Sequence, residues 1–355
     1  MERVIKVGIG GYGRSGRNIH WNYLHTDPRF KIVAVADALE ERRADAAKEI
    51  DGQVYGDYRE MLAAGGFDLF VNATPSRFHA DASIEGLAKY DVLSEKPSAP
   101  TVAKFDEILA ASKASGHNFY PFQNSRFYQY FRKALEIANS GVLGKILCVR
   151  LNWSGFARRW DWQTRQDQMA GNLFNTGPHP VDQAIVWFGE GMPKVFARMQ
   201  SEWGEFGGDS DSLTSVTLWG ENKPLIEIHV SSHLAYPTGD RLNVQGTLGG
   251  LTGTNGHVKW KYFDPAKAPK HEFWKPWSDH RNYCGEQLPW EECEWTSEED
   301  RNNSFTVIVK GYYNSLYNVI VNGAEREIKL DQVRRQIYVM EEAYRQNPMP
   351  KKELK

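Results

Sequence analysis

Apolar residues fall along this chain in two rhythms. Residues 4–9 read Val-Ile-Lys-Val-Gly-Ile, a short and mostly β-branched run that ends in glycines, and a helix-compatible stretch follows to about residue 25. That combination predicts a buried parallel strand feeding a helix. The unit then repeats, with predicted strands at 31–37, 68–73, 91–95 and 118–122 and helical stretches at 40–49, 83–87 and 102–115. Strands alternating with helices imply a parallel sheet with right-handed crossovers.

The rhythm changes near residue 125. A helix is predicted over 128–139, then strand-like runs at 145–151, 195–202, 212–219, 225–231, 241–246 and 257–262. Two helices close the chain at about 304–316 and 330–346, and the polar, tryptophan- and proline-rich stretch 264–299 reads as an extended loop or insertion. The expected fold class is therefore an α/β domain over 1–124 followed by an α+β domain over 125–355. The second domain carries a large, mostly antiparallel open sheet, and its last helices are free to pack back on the first domain.

Composition narrows the function classes. A chain of 355 residues exceeds what one hydrophobic core usually supports, which agrees with two domains. With 41% apolar and 25% charged residues it has the mix of an ordinary globular protein. A formal charge of −2 speaks against binding a nucleic-acid backbone, which calls for a basic face. The three cysteines, Cys148, Cys284 and Cys293, include no CxxC pair, so neither a disulfide framework nor a metal site is expected. They fit a reducing compartment. With no leader-like or membrane-length apolar segment at the start, the cytoplasm is the expected location.

The first candidate chemistry is Gly8-Ile9-Gly10-Gly11-Tyr12-Gly13-Arg14. Glycines at this spacing after a strand and before a helix, with Asp37 closing the next strand about two dozen residues later, form a dinucleotide fingerprint. The glycines allow a tight turn, backbone approach to a pyrophosphate and close helix packing at a positive helix N-terminus. The first domain is thereby expected to be a Rossmann domain. The Asp37 carboxylate would accept from both ribose hydroxyls and repel a 2′-phosphate, so NAD is preferred over NADP. Arg42 and Arg43 soften that preference, although their places fit a solvated helix face.

Two further segments stand out. Ser94-Glu95-Lys96-Pro97 ends a predicted strand, at the sheet edge where such folds bind ligands; Lys96 could reach a substrate oxygen, or form a surface pair with Glu95. Asn175-Thr176-Gly177-Pro178-His179-Pro180-Val181-Asp182 opens an apolar helix and puts His179 and Asp182 on one face of its first turn. A histidine is a natural proton acceptor when an alcohol loses hydride, while a helix-capping His/Asp pair without chemistry is the plainer reading.

Together these elements resemble the Gfo/Idh/MocA family of NAD(P)-dependent sugar and polyol oxidoreductases. The likeness rests on the fingerprint, Asp37, Ala73-Thr74-Pro75 with His79, Glu95-Lys96-Pro97, Gln123-Asn124-Ser125-Arg126-Phe127, Gly177-x-His179-x-x-Asp182 and the terminal helix pair. It implies that Lys96 bridges the substrate oxygen and the nicotinamide ribose, that His179 is the general acid/base, and that Asp182 orients it or binds a sugar hydroxyl. Gly8, Gly10, Gly11, Tyr12, Gly13, Arg14, Asp37, Thr74, Pro75, His79, Glu95 and Asn124 would serve the cofactor, His79 more by helix packing than by chemistry. Arg126, Asn175 and Trp162 would meet the substrate; Trp162 is singled out from Trp153, Trp160 and Trp162 because aromatic faces suit sugar C–H surfaces. The second domain's sheet would pair copies into a homodimer or homotetramer.

One position departs from the family pattern. Many members carry aspartate four residues before the histidine, and here Asn175 holds that place; an amide supplies no negative charge to an imidazolium. The expected function is NAD-dependent oxidation of a secondary hydroxyl on a sugar, inositol or sugar derivative. Two alternatives stand beside it: a redox-neutral glycosidase or lyase that recycles NAD through a transient keto-sugar, and a non-catalytic NAD sensor. Retention of both Lys96 and His179 speaks against the sensor.

Overall fold

The structure is a computed structural model and describes residues 3–237, 239–273 and 283–352. Six strands form the first sheet: β1 (Ile5–Gly10), β2 (Phe30–Ala36), β3 (Gln53–Tyr55), β4 (Leu69–Asn72), β5 (Asp91–Ser94) and β6 (Phe119–Pro121). They run in the order β3-β2-β1-β4-β5-β6, and every neighbouring pair is parallel. The order reverses direction between β1 and β4, and a crevice opens beyond their carboxyl ends, where doubly wound sheets bind ligands. Ile5, Val7, Ile9, Leu69, Val71 and Leu93 are fully buried, as strands covered by helices on both faces require. The helices between them end where the sequence provides caps. Over Val102–Ser115, for example, the Thr101 hydroxyl accepts from the Lys104 amide, and Gly116 turns left-handed at φ 78°.

The second sheet has eight strands: β7 (Ile146–Asn152), β8 (Lys194–Gln200), β9 (Leu213–Trp219), β10 (Leu225–Ser231), β11 (Leu242–Gly246), β12 (Gly249–Thr254), β13 (His257–Phe263) and β14 (Trp290–Thr296). Their order is β14-β13-β12-β11-β7-β10-β9-β8, antiparallel throughout except for β7 with β10. The α/β-plus-α+β fold expected from the sequence is the fold observed. Strands β12 and β14 were not anticipated. Glycines at 249, 250 and 253 make β12 look like a turn; in the sheet, a Cβ at Gly249 or Gly250 would press on the backbone oxygen of Lys261 in β13 or of Val244 in β11. β14 lies inside the stretch read as a loop, and part of that stretch, 274–282, falls outside the described residues.

Two helices join the domains. Helix Leu330–Gln346 lays Val333 and Ile337 into the same apolar cluster as Phe105 and Ile108 of the first domain. Its Glu341 accepts from the Val102 amide at 2.8 Å, and its Arg334 pairs with Asp106 at 2.8 Å. Helix Glu298–Asn322, broken by non-helical geometry at Asn303, buries Tyr313 against Phe30 and His20. Among the described residues no helix is long and apolar enough to cross a membrane.

Candidate active site

A cleft of about 450 Å³ runs between the domains, from the glycine turn to the start of helix Pro178–Phe188. Its cofactor end is built by backbone proximity. Gly11 sits at φ 90°, and a Cβ there would collide with the Ala73 carbonyl oxygen, so the turn between β1 and the first helix admits only glycine. Gly13 also lines the cleft, whereas Gly8 and Gly10 pack on the Phe67 and Phe70 rings. The first helix, over 14–24, takes π geometry at Gly16–Trp21.

Asp37 closes β2 as the fingerprint requires, and its carboxylate accepts from the Tyr12 amide at 2.7 Å and the Leu39 amide at 2.9 Å. Arg42 is 43% exposed, as a solvated helix face implies, and its guanidinium also lines the cleft, 3.5 Å from Asp37. Tyr12 is buried, and its hydroxyl donates to Glu49 at 2.7 Å, so only its amide serves this end. Arg14, Thr74, Pro75, His79, Glu95 and Asn124 all line the cleft. Both ring nitrogens of His79 lie 2.8 Å from carbonyl oxygens, those of Pro97 and Thr74, tying together the loops after β4 and β5. Burial pushes the His79 pKa down, against the pull of those carbonyls and of Glu95.

The reactive end centres on Lys96 and His179, which face the same cleft. The Lys96–Pro97 bond is cis. Lys96 donates to the backbone oxygen of Asn175 at 2.7 Å. Burial depresses its pKa; Glu95 opposes the drop, and Arg14 and Arg159 add to it. Burial alone would raise the Glu95 carboxyl, but His20 at 3.4 Å, together with Lys96 and His79, holds it at about 2. His179 stacks on Trp153 at 5.5 Å, and its Nδ1 is buried without a hydrogen-bond partner. Burial, with Lys96 and Arg241 adding to it, lowers its pKa to about 3. An imidazole in this setting is neutral, and the burial that keeps it so also makes it a weaker base than a free histidine.

Not every expected residue reaches the cleft. Asp182 is fully buried, and both its oxygens are held by Arg126, at 2.6 and 2.7 Å. Arg126 also donates to the Glu327 carbonyl and the Gln332 side chain, so neither residue of this pair faces His179 or the cleft. One face of a helical turn places residues together, but a buried guanidinium fixes which way the carboxylate turns. Trp162 does line the cleft, beside Arg159, Asp161 and Gln163 of the 153–171 segment, and Phe305 of helix Glu298–Asn322 reaches it too. Those last four were not foreseen, because they come from a loop and a distant helix with no local pattern.

A glycine cradle, an acid at the end of β2 and a lysine–histidine pair in one crevice define a dinucleotide-dependent oxidoreductase site, and the residues present fit NAD. Residues 5–121 match the profile of an oxidoreductase family with an NAD-binding Rossmann fold, and residues 131–252 match the GFO/IDH/MocA C-terminal domain. The chain belongs to the Gfo/Idh/MocA family. It is 28% identical over 258 residues to the D-glucoside 3-dehydrogenase of Escherichia coli, covering 68% of this chain and 72% of that one. Over 196 residues it is 26% identical to the NADP(+)-dependent scyllo-inositol 2-dehydrogenase of Bacillus subtilis, covering 54% and 53%. The chain spans about half the length of several such relatives, including 55% of an uncharacterized oxidoreductase of Schizosaccharomyces pombe. In fold it is similar to the WlbA dehydrogenase of Bordetella pertussis, solved with NADH and UDP-GlcNAcA, with a TM-score of 0.75 at 20% identity over 100% of this chain and 99% of that one.

Proposed function

We propose that this protein is an NAD-dependent dehydrogenase that oxidises a secondary hydroxyl of a sugar or sugar derivative. The observation that carries the reading is the convergence of Lys96, a neutral His179 and the Gly11–Asp37 cradle on one cleft. Gly11, Gly13, Arg14, Asp37 and Thr74 would hold NAD, which would supply the hydride acceptor. His179 takes the hydroxyl proton, and the Lys96 ammonium donates to the oxygen as negative charge develops on it. Trp162 offers an aromatic face to the sugar. The glucoside dehydrogenase among the relatives supports a glycoside, and the inositol dehydrogenase supports a cyclic polyol. Both present a ring hydroxyl flanked by others.

The second sheet also has a face suited to a second copy of this chain. Phe196 (62% exposed), Trp219 and Leu225 lie on the side opposite the buried Val216, Leu218, Ile226 and Ile228. Mass measurement in solution tests that pairing.

The deciding experiment incubates the protein with NAD and a panel of inositols, aldoses and glycosides, following reduced-nicotinamide absorbance and product mass together. NADH rising with one substrate class is the expected result. A changed substrate mass without NADH would instead establish the cofactor-recycling reaction, and no product from any carbohydrate would overturn both.

A further inference from the structure

Asn175 occupies the place where relatives of this family often carry aspartate, and the structure shows what the amide does there. Its Nδ2 donates to the backbone oxygen of Gln163 at 2.9 Å. That oxygen also accepts from the Gly171 amide at 3.1 Å, so both of its lone pairs are engaged. Gln163 belongs to the segment that brings Arg159, Asp161 and Trp162 to the mouth of the cleft, and its side chain accepts from Arg159. At the other end of the same residue, the backbone oxygen of Asn175 receives the Lys96 ammonium at 2.7 Å. One residue thus ties this cleft-lining segment to Lys96.

We infer that Asn175 is a positioning residue that anchors the 153–171 segment over the cleft and aims Lys96, and that this contact is why an amide stands at this position. An aspartate has no proton to offer at neutral pH, so its oxygen would face the Gln163 oxygen acceptor to acceptor. It would also set a carboxylate beside Lys96 and draw the ammonium away from the backbone oxygen.

The test compares Asn175→Asp and Asn175→Ala with the parent protein. Hydrogen exchange of backbone amides over 159–165 rises in both variants, and sugar KM rises about 10-fold, the scale of one lost hydrogen bond. The Kd for NAD, measured by fluorescence, stays within about twofold, because the lost contact is remote from Gly11 and Asp37. In Asn175→Asp alone the alkaline limb of the pH–rate profile moves upward, since a neighbouring carboxylate favours the charged lysine. Unchanged exchange over 159–165 in Asn175→Ala overturns the inference. So does a kcat gain in Asn175→Asp with the segment still protected, which would mean the position serves a proton relay. The kinetic arms rest on the oxidation proposed above, while the exchange arm does not; a protein inert toward every sugar would refute that reading and leave exchange to decide this one.

Discussion

The two ends of the cleft are made in different ways. At the cofactor end polar side chains are tied to the backbone: Asp37 holds two backbone amides, and His79 sits between two carbonyls. At the reactive end a group is left open, with His179 Nδ1 buried and unpartnered. Buried polar atoms without partners cost stability and persist where a function uses them. The first end is finished by folding; the second is completed by what binds. The two histidines of the cleft carry the contrast, and exchanging each in turn tests it.

The largest effect is expected from His179→Asn. Loss of a general base lowers kcat by about 10²–10⁴-fold while the Kd for NAD stays within about threefold. His79→Asn should do the reverse: it loosens the loops after β4 and β5, costs about 1–3 kcal/mol of stability in urea denaturation, and leaves kcat within about 10-fold. Equal losses of kcat in the two variants would erase the distinction between the ends.

The same contrast explains what could be read from the sequence. The cofactor end was legible because its determinants are local. A glycine turn, the strand before it and the acid closing the next strand form a short periodic text, and β1, β2, β4, β5 and β6 appear where the apolar runs place them. The reactive end was legible only in its residue types. Nothing near Asp182 announces that Arg126, 56 positions earlier, captures both of its oxygens. Nothing near Asn175 shows that its amide reaches Gln163, 12 positions back across an irregular segment. β12 was hidden by glycines that lie against the backbones of its neighbouring strands, and β14 by alternating acids that pair across to Lys259 and Lys261. Long-range partners decide side-chain direction, and sequence periodicity does not encode them.

The next expected effect concerns the Arg126–Asp182 pair, which separates catalytic residues from structural ones next to them. Asp182→Ala leaves a guanidinium buried without its carboxylate, and breaking such a pair costs about 3–5 kcal/mol. Urea unfolding of the variant, followed by tryptophan fluorescence, should show that loss. The folded fraction should retain kcat within about threefold. A variant of unaltered stability with a collapsed kcat would return Asp182 to the chemistry.

The smallest effect is the most specific to the open end. His179 has a pKa depressed to about 3 by burial, with Lys96 and Arg241 adding to it and Glu95 opposing them, and its Nδ1 has no hydrogen-bond partner. A depressed histidine pKa means that the neutral, proton-accepting form persists as pH falls through the ordinary histidine range near 6.5. At saturating NAD, kcat/KM for the sugar reports the complex before sugar binds. Its acid limb should therefore lie well below pH 6, with the rate at pH 5 within about twofold of that at pH 7. At the other extreme, the lowered pKa of Lys96 should make the alkaline limb begin below the ordinary lysine value near 10.4. An acid limb centred near 6.5 that disappears in His179→Asn would show that this imidazole is hydrated before the substrate arrives, and the open end would then be solvent-filled rather than dry.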